Sequence, residues 1–286
     1  MTASTRPRQP VVVRRARPAA GPPDGAASSA PVRVLLVHGL ASSARVWDRF
    51  LPLAGPGCEL WTAELPWRGC GVTGWSGRPA ADWLDHAVAE VPGGPDVIVG
   101  HSFGANALLA WLDGDGGAEA ARRALRGAVL VSPFYRPQED RFDWAALSYY
   151  LNEFDRIIAD GLRVSAGGSL DQRLCDAMAR KIRDRVGPYG WLRFIETYLH
   201  TPRLRVRRLR VPFLIVGGET DFAAFPADAR ELGRALPDAH VRILPDVGHF
   251  TMVERAGDFA HAVNGFLRTL TARPRPDAPL PSMECT

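Results

Sequence analysis

The chain contains a single lysine, Lys181, among its 35 basic residues, and only four cysteines in 286 positions. Cys58, Cys70, Cys175 and Cys285 show neither a C-x-x-C pair nor a disulfide framework, so a stapled secreted domain is not expected and a reduced, cytoplasmic setting is. Metal-ligand spacing is also missing, and no metal or cofactor is expected. No apolar run approaches the ~18 residues that a bilayer span requires. Arg14-Arg15 is followed by an Ala-, Pro- and Gly-rich stretch rather than an apolar one, which argues against a secretory or twin-arginine leader.

Lysine scarcity changes the meaning of the charge. A net charge of +4 would suggest nucleic acid, but an almost pure arginine bias points instead to a GC-rich coding sequence, expected of a high-GC bacterium. The densest basic run, Arg203-Leu204-Arg205-Val206-Arg207-Arg208-Leu209-Arg210, reads as a solvated connector into the next apolar segment. Docking of an acidic acyl carrier protein is the alternative for this run. Nucleic acid is not an expected partner.

What the chain does have is a hydrophobic fraction of 46%, enough for one full core. Short apolar runs stand at Val32–Val37, Val97–Val99, Ala128–Val131 and Val211–Val216. Continuous runs of this length are those of parallel strands buried on both faces. Gly100-His101-Ser102-Phe103-Gly104 lies between one such strand and a helix-like run, Ala105–Trp111. A G-x-S-x-G pentapeptide in that context is a nucleophile elbow, a turn tight enough to hold its serine hydroxyl at the tip. Bulk at Gly100 or Gly104 would collide with the neighbouring strand and helix.

A serine hydroxyl needs a base, and the base needs an orienting acid. Of the downstream histidines, His240 falls in a strand, His261 in the last helix, and His200 near a helix end. His249, in Asp246-Val247-Gly248-His249-Phe250, follows a strand and is the expected base. The Val211 strand ends in Gly217-Gly218-Glu219-Thr220-Asp221, which makes Asp221 the expected acid, with Glu219 and Asp228 as rivals and Asp246 as a turn residue. The expected oxyanion donors are the N–H groups of Phe103 and of Leu40, in the loop His38-Gly39-Leu40-Ala41-Ser42. His101 should point away from the hydroxyl, and His38 should brace the oxyanion loop.

These four motifs, in this order across about residues 31–271, resemble the α/β-hydrolase superfamily. The resemblance implies an α/β fold with a mostly parallel sheet flanked by helices, a helical cap inserted after the sixth strand, and Ser102, His249 and Asp221 as the triad. Glu64-Leu65-Pro66-Trp67-Arg68-Gly69-Cys70-Gly71 departs from the shorter Asp-x-x-Gly-x-Gly loop of many relatives. Trp67 there either lines the pocket or packs beneath the loop.

The resulting division is an extension at 1–30, expected to be disordered except where Val11-Val12-Val13 joins a sheet edge, a core at 31–132 and 202–272, a cap at 133–201 and a disordered tail at 273–286. The cap pattern is helical over Trp144–Asp160, Ser169–Val186 and Gly190–Leu199, and rich in aromatics. The expected activity is serine-dependent hydrolysis of a carboxylic ester or thioester with an apolar acyl group. An acyltransferase, cyclase or carbon–carbon hydrolase would use the same residues, and a non-catalytic receptor is the alternative from another class.

Overall fold

A computed structural model of the chain describes residues 11–19, 30–68, 74–114 and 119–271. Seven strands form one sheet: β1 (Val12–Arg17), β2 (Val32–Val37), β3 (Cys58–Glu64), β4 (Val97–His101), β5 (Gly127–Val131), β6 (Phe213–Gly218) and β7 (Ala239–Leu244). Their spatial order is β1-β3-β2-β4-β5-β6-β7, with β1 antiparallel to β3 and every other pair parallel. The helices are α1 (Ala80–Ala89), α2 (Phe103–Asp113), α3 (Glu119–Ala124), α4 (Trp144–Ser165), α5 (Gln172–Leu199), α6 (Pro226–Ala235), α7 (Thr251–Glu254) and α8 (Ala256–Thr271).

Strand alternation sorts the apolar runs between two layers. Leu35, Val37, Ile98, Leu130 and Ile215 face the layer built with α1, α2 and α6. Their neighbours Val34, Leu36, Val99, Val129 and Val216 face the layer built with α8. A two-residue period between two apolar layers leaves no polar face, so these strands read as unbroken hydrophobic runs.

Two expectations need correction. The stretch 1–30, expected to be disordered apart from Val11-Val12-Val13 at a sheet edge, contains a longer strand, β1, which pairs through Val12–Arg17 with β3. Its ladder groups find partners on the otherwise open β3 edge, and the Arg17 guanidinium donates to the carbonyls of Ala54 and Gly55. Residues 1–10, 20–29 and 272–286, including all of the expected tail, lie outside the described residues. The helical insertion follows the fifth strand rather than the sixth, because among the described residues one antiparallel strand, β1, closes that edge of the sheet.

Capping fixes where the inserted helices begin. Asp143 accepts from Ala146 N at the start of α4, and Asp171 accepts from Arg173 N and Leu174 N at the start of α5. Gly187, at φ 68° and ψ 171°, interrupts α5 just before Pro188. The two helices share a small core of Phe154, Ile158, Ala159, Cys175, Ala179 and Val186. Trp144 and Tyr189, two aromatics of the insertion, face solvent at 84% and 75% exposure.

Candidate active site

Ser102 sits between β4 and α2 with φ 55° and ψ −123°, a left-handed conformation costly for a residue with a side chain. The turn survives because its flanks are bare. A Cβ on Gly100 would lie 2.7 Å from Gly104 O, and one on Gly104 would lie 2.6 Å from His38 O. The strained turn places the serine side chain at the end of β4 and leaves the Phe103 N–H at the first turn of α2, where no intrahelical acceptor exists.

The three residues expected to cooperate are brought together. His249 Nε2 and Ser102 Oγ are 3.0 Å apart, and His249 Nδ1 donates to Asp221 Oδ2 at 2.8 Å. Asp221 Oδ1 accepts from Ala223 N at 2.8 Å and Ala224 N at 2.9 Å, so backbone amides fix the carboxylate plane. All three residues are buried, Ser102 at 9% exposure and the other two below that. The rival acids are engaged elsewhere: Glu219 accepts from Asp246 N, while Asp228 accepts from Tyr198 Oη and lies 3.8 Å from Arg136 Nε.

The loop after β2 runs beside the elbow. In it, Ala41 N donates to Trp67 O and Ser42 N to Gly39 O, while Leu40 N–H has no acceptor among the described residues. His38 holds this loop as expected. Leu65 N–H donates to His38 Nε2 at 3.0 Å, so the ring proton lies on Nδ1 and is donated to Gly39 O at 2.8 Å. Burial lowers the His38 pKa to about 4, with the Gly39 bond opposing and Arg68 assisting. Trp67 takes the packing alternative: fully buried, it donates Nε1–H to His38 O at 3.0 Å and sets its ring edge-on to Phe103. Residues 69–71 of that segment lie outside the described residues.

Three contacts around His249 were invisible in the sequence. His101 Nε2 donates to His249 O at 3.0 Å and Ser132 Oγ donates to the same oxygen at 3.2 Å. Glu254 accepts from both flanking amides, Gly248 N at 3.0 Å and Phe250 N at 3.0 Å. A carboxylate five residues after the histidine, at the end of a one-turn helix, is the only sequence trace of this clamp. The His101 ring, turned from the hydroxyl, is fully buried, and burial foremost holds its pKa well below the ordinary imidazole value.

Ser102 and His249 open into a cavity of about 620 Å³. Phe134, Tyr150, Phe154, Ile158 and Phe194 line it, four of them supplied by α4 and α5. Tyr149 and Tyr150 in α4 donate their hydroxyls to the carbonyls of Phe222 and Ala223, at 2.6 and 3.1 Å. In the basic connector, Arg203 pairs with Glu139 and Arg205 with Asp113, while Leu204, Val206 and Leu209 are buried. No helix among the described residues is long and apolar enough to cross a membrane.

A mostly parallel sheet with this strand order, flanked by helices, defines a hydrolase-type α/β architecture. An alpha/beta hydrolase family model matches residues 34–262, and the chain belongs to that family. Among solved structures, the chain is similar to RhEst1, an esterase from Rhodococcus sp. ECU1013, with a TM-score of 0.61 at 20% identity over 91% of this chain and 95% of that one. Est816, described as an N-acyl homoserine lactone degrading enzyme, gives 0.61 at 18% identity over 90% and 96%. The meta-cleavage product hydrolase CumD of Pseudomonas fluorescens IP01 gives 0.58 at 19% identity over 91% and 95%.

Proposed function

We propose that the protein is a serine hydrolase that cleaves a carboxylic ester or thioester carrying a largely apolar acyl group. The observation that supports this reading best is the unbroken hydrogen-bond chain from Asp221 through His249 to Ser102, opening into an apolar cavity. Residues 31–132 and 202–272 are read as the catalytic core and 133–201 as the cap. Likeness to an esterase such as RhEst1 is consistent with ester chemistry.

In the proposed reaction, His249 Nε2 takes the Ser102 proton as the oxygen attacks the acyl carbon. The N–H groups of Leu40 and Phe103 donate to the oxyanion that develops. Asp221 remains ionised and stabilises the imidazolium. Collapse breaks the bond to the leaving alcohol or thiol, which departs with the proton from His249. Water then loses a proton to His249 and attacks the acyl-enzyme, releasing the acid and restoring Ser102.

The test is covalent labelling with a fluorophosphonate. The wild-type chain should carry the label on Ser102, and Ser102→Ala should neither label nor turn over 4-nitrophenyl esters while keeping its circular dichroism and melting temperature. Labelling that persists in Ser102→Ala would refute the assignment.

A further inference from the structure

The cavity over Ser102 has two chemical characters. Phe134, Tyr150, Phe154, Ile158 and Phe194, all buried, make its interior. Among the described residues, its exposed rim carries four arginines, Arg45, Arg49, Arg68 and Arg185, against one carboxylate, Asp48. Two of these charges are answered locally, Arg45 by Asp48 at 3.8 Å and Arg68 by Glu64 at 3.3 Å.

The other two are not. Arg49 donates Nη1 to Val253 O at 3.0 Å, a neutral acceptor that orients the guanidinium, and it forms no ion pair among the described residues. Its Nη2 would be 3.7 Å from a Cβ at Gly167, which puts the group against the turn joining α4 to α5. Arg185, on α5, has no partner among the described residues. One free cation thus comes from the core and one from the insertion, on the rim of the same cavity. A cleft lined by one sign of charge concentrates the opposite ion, and the planar guanidinium fork matches carboxylate and phosphate oxygens.

We propose that the substrate is amphipathic: an apolar acyl body lies under α4 and α5, and a carboxylate or phosphate is held at the rim by Arg49 and Arg185. The proposal rests on the ester or thioester reading of Ser102 for its chemistry, and on the rim alone for its charge. The group sits either on the far end of the acyl chain or on the leaving group.

Paired substrates separate these sources. 4-Nitrophenyl hexanoate against mono-4-nitrophenyl adipate adds a carboxylate to the acyl end. The N-acetylcysteamine thioester of hexanoate against hexanoyl-coenzyme A adds phosphates to the leaving group. In one pair the anionic member should have a kcat/KM at least about tenfold higher, through KM, since a charged hydrogen bond is worth roughly that factor. The preference should shrink with added salt. In Arg49→Gln/Arg185→Gln the ratio should fall towards one, whereas Arg207→Gln, outside the cavity, should preserve it. Equal turnover within both pairs, or a ratio that survives the double variant, overturns the proposal.

Calorimetry on Ser102→Ala with adipate and coenzyme A, against hexanamide and pantetheine, reads the rim without turnover. Tighter binding of one anion, lost in the added Arg49→Gln/Arg185→Gln background, would uphold the rim site even if phosphonate labelling failed. Equal binding of charged and neutral ligands would sink the rim site even if labelling succeeded.

Discussion

His101 Nε2 donates to the backbone carbonyl of His249 across 3.0 Å, so the residue preceding the serine grips the loop that carries the imidazole. Elbow and histidine loop are therefore registered to each other by a contact that leaves both reacting atoms free. Ser132 adds a second donor to that carbonyl from the end of β5, at φ 48°.

His101→Phe keeps the bulk and removes this donor. The expected result is a fall in kcat of about tenfold with KM little changed, and a stability loss of about 1 kcal/mol, the net worth of one buried hydrogen bond. Steady-state kinetics and denaturant melts measure both. A change confined to KM would mean that the contact does not position His249.

Asp221→Asn retains an oxygen for Ala223 N and Ala224 N and turns an amide towards His249 Nδ1. That amide donates, which forces the ring proton onto Nε2 and removes the base facing Ser102. A drop in kcat of about 10⁴-fold with an unchanged fold is expected. Activity within tenfold of wild type would reassign the acid.

Trp67→Phe should slacken the loop that bears Leu40, since His38 O loses its indole donor. We expect kcat to fall by about tenfold, the factor corresponding to one net hydrogen bond, with substrate affinity nearly unaltered. Unchanged kcat would show that the loop is held without the indole.

Stability should depend on His38 in mildly acidic solution. Its folded pKa, about 4, lies below the ordinary 6.5 because burial disfavours the charged ring. Between those values the unfolded chain binds the extra proton, so the contribution is complete above about pH 6.5 and is lost as pH falls towards 4. The full loss is on the order of 3 kcal/mol. His101 acts in the same sense. Asp228, raised from 3.8 to about 6 chiefly by burial and opposed by Arg136, acts in the other, favouring the fold at low pH. Chemical melts of wild type and His38→Gln from pH 7 to 4.5 isolate the His38 part, because glutamine can accept from Leu65 N without titrating. A wild-type-minus-variant difference that stays flat across that range would refute it.

Local pattern carried five of the sheet's seven strands, β2 and β4 to β7, together with the elbow and the order of Ser102, Asp221 and His249, because each depends on residues adjacent in the chain. Of strand β1, only Val11-Val12-Val13 was legible as a sheet-edge segment; its run on to Arg17 was hidden, since Arg14, Arg15, Ala16 and Arg17 carry no strand pattern and their pairing is dictated by the free edge of β3. Ser132 and Glu254 were hidden for a different reason: their partners, His249 O for the first and the Gly248 and Phe250 amides for the second, are main-chain atoms, which leave no signature in side-chain type. Which insertion aromatics face Ser102 could not be read either. That depends on how α4 and α5 are rotated about their axes, and the rotation is set by contacts such as those of Tyr149 and Tyr150 with the segment after β6.

Those two tyrosine hydroxyls have a mechanical consequence. They hold the carbonyls of Phe222 and Ala223, and the amide of Ala223 is one of the two that steady the Asp221 carboxylate. A displacement of α4 would strain the same short segment that orients the Asp221 carboxylate. The roof of the cavity and the orientation of Asp221 are thereby coupled through one three-residue stretch, Phe222 to Ala224.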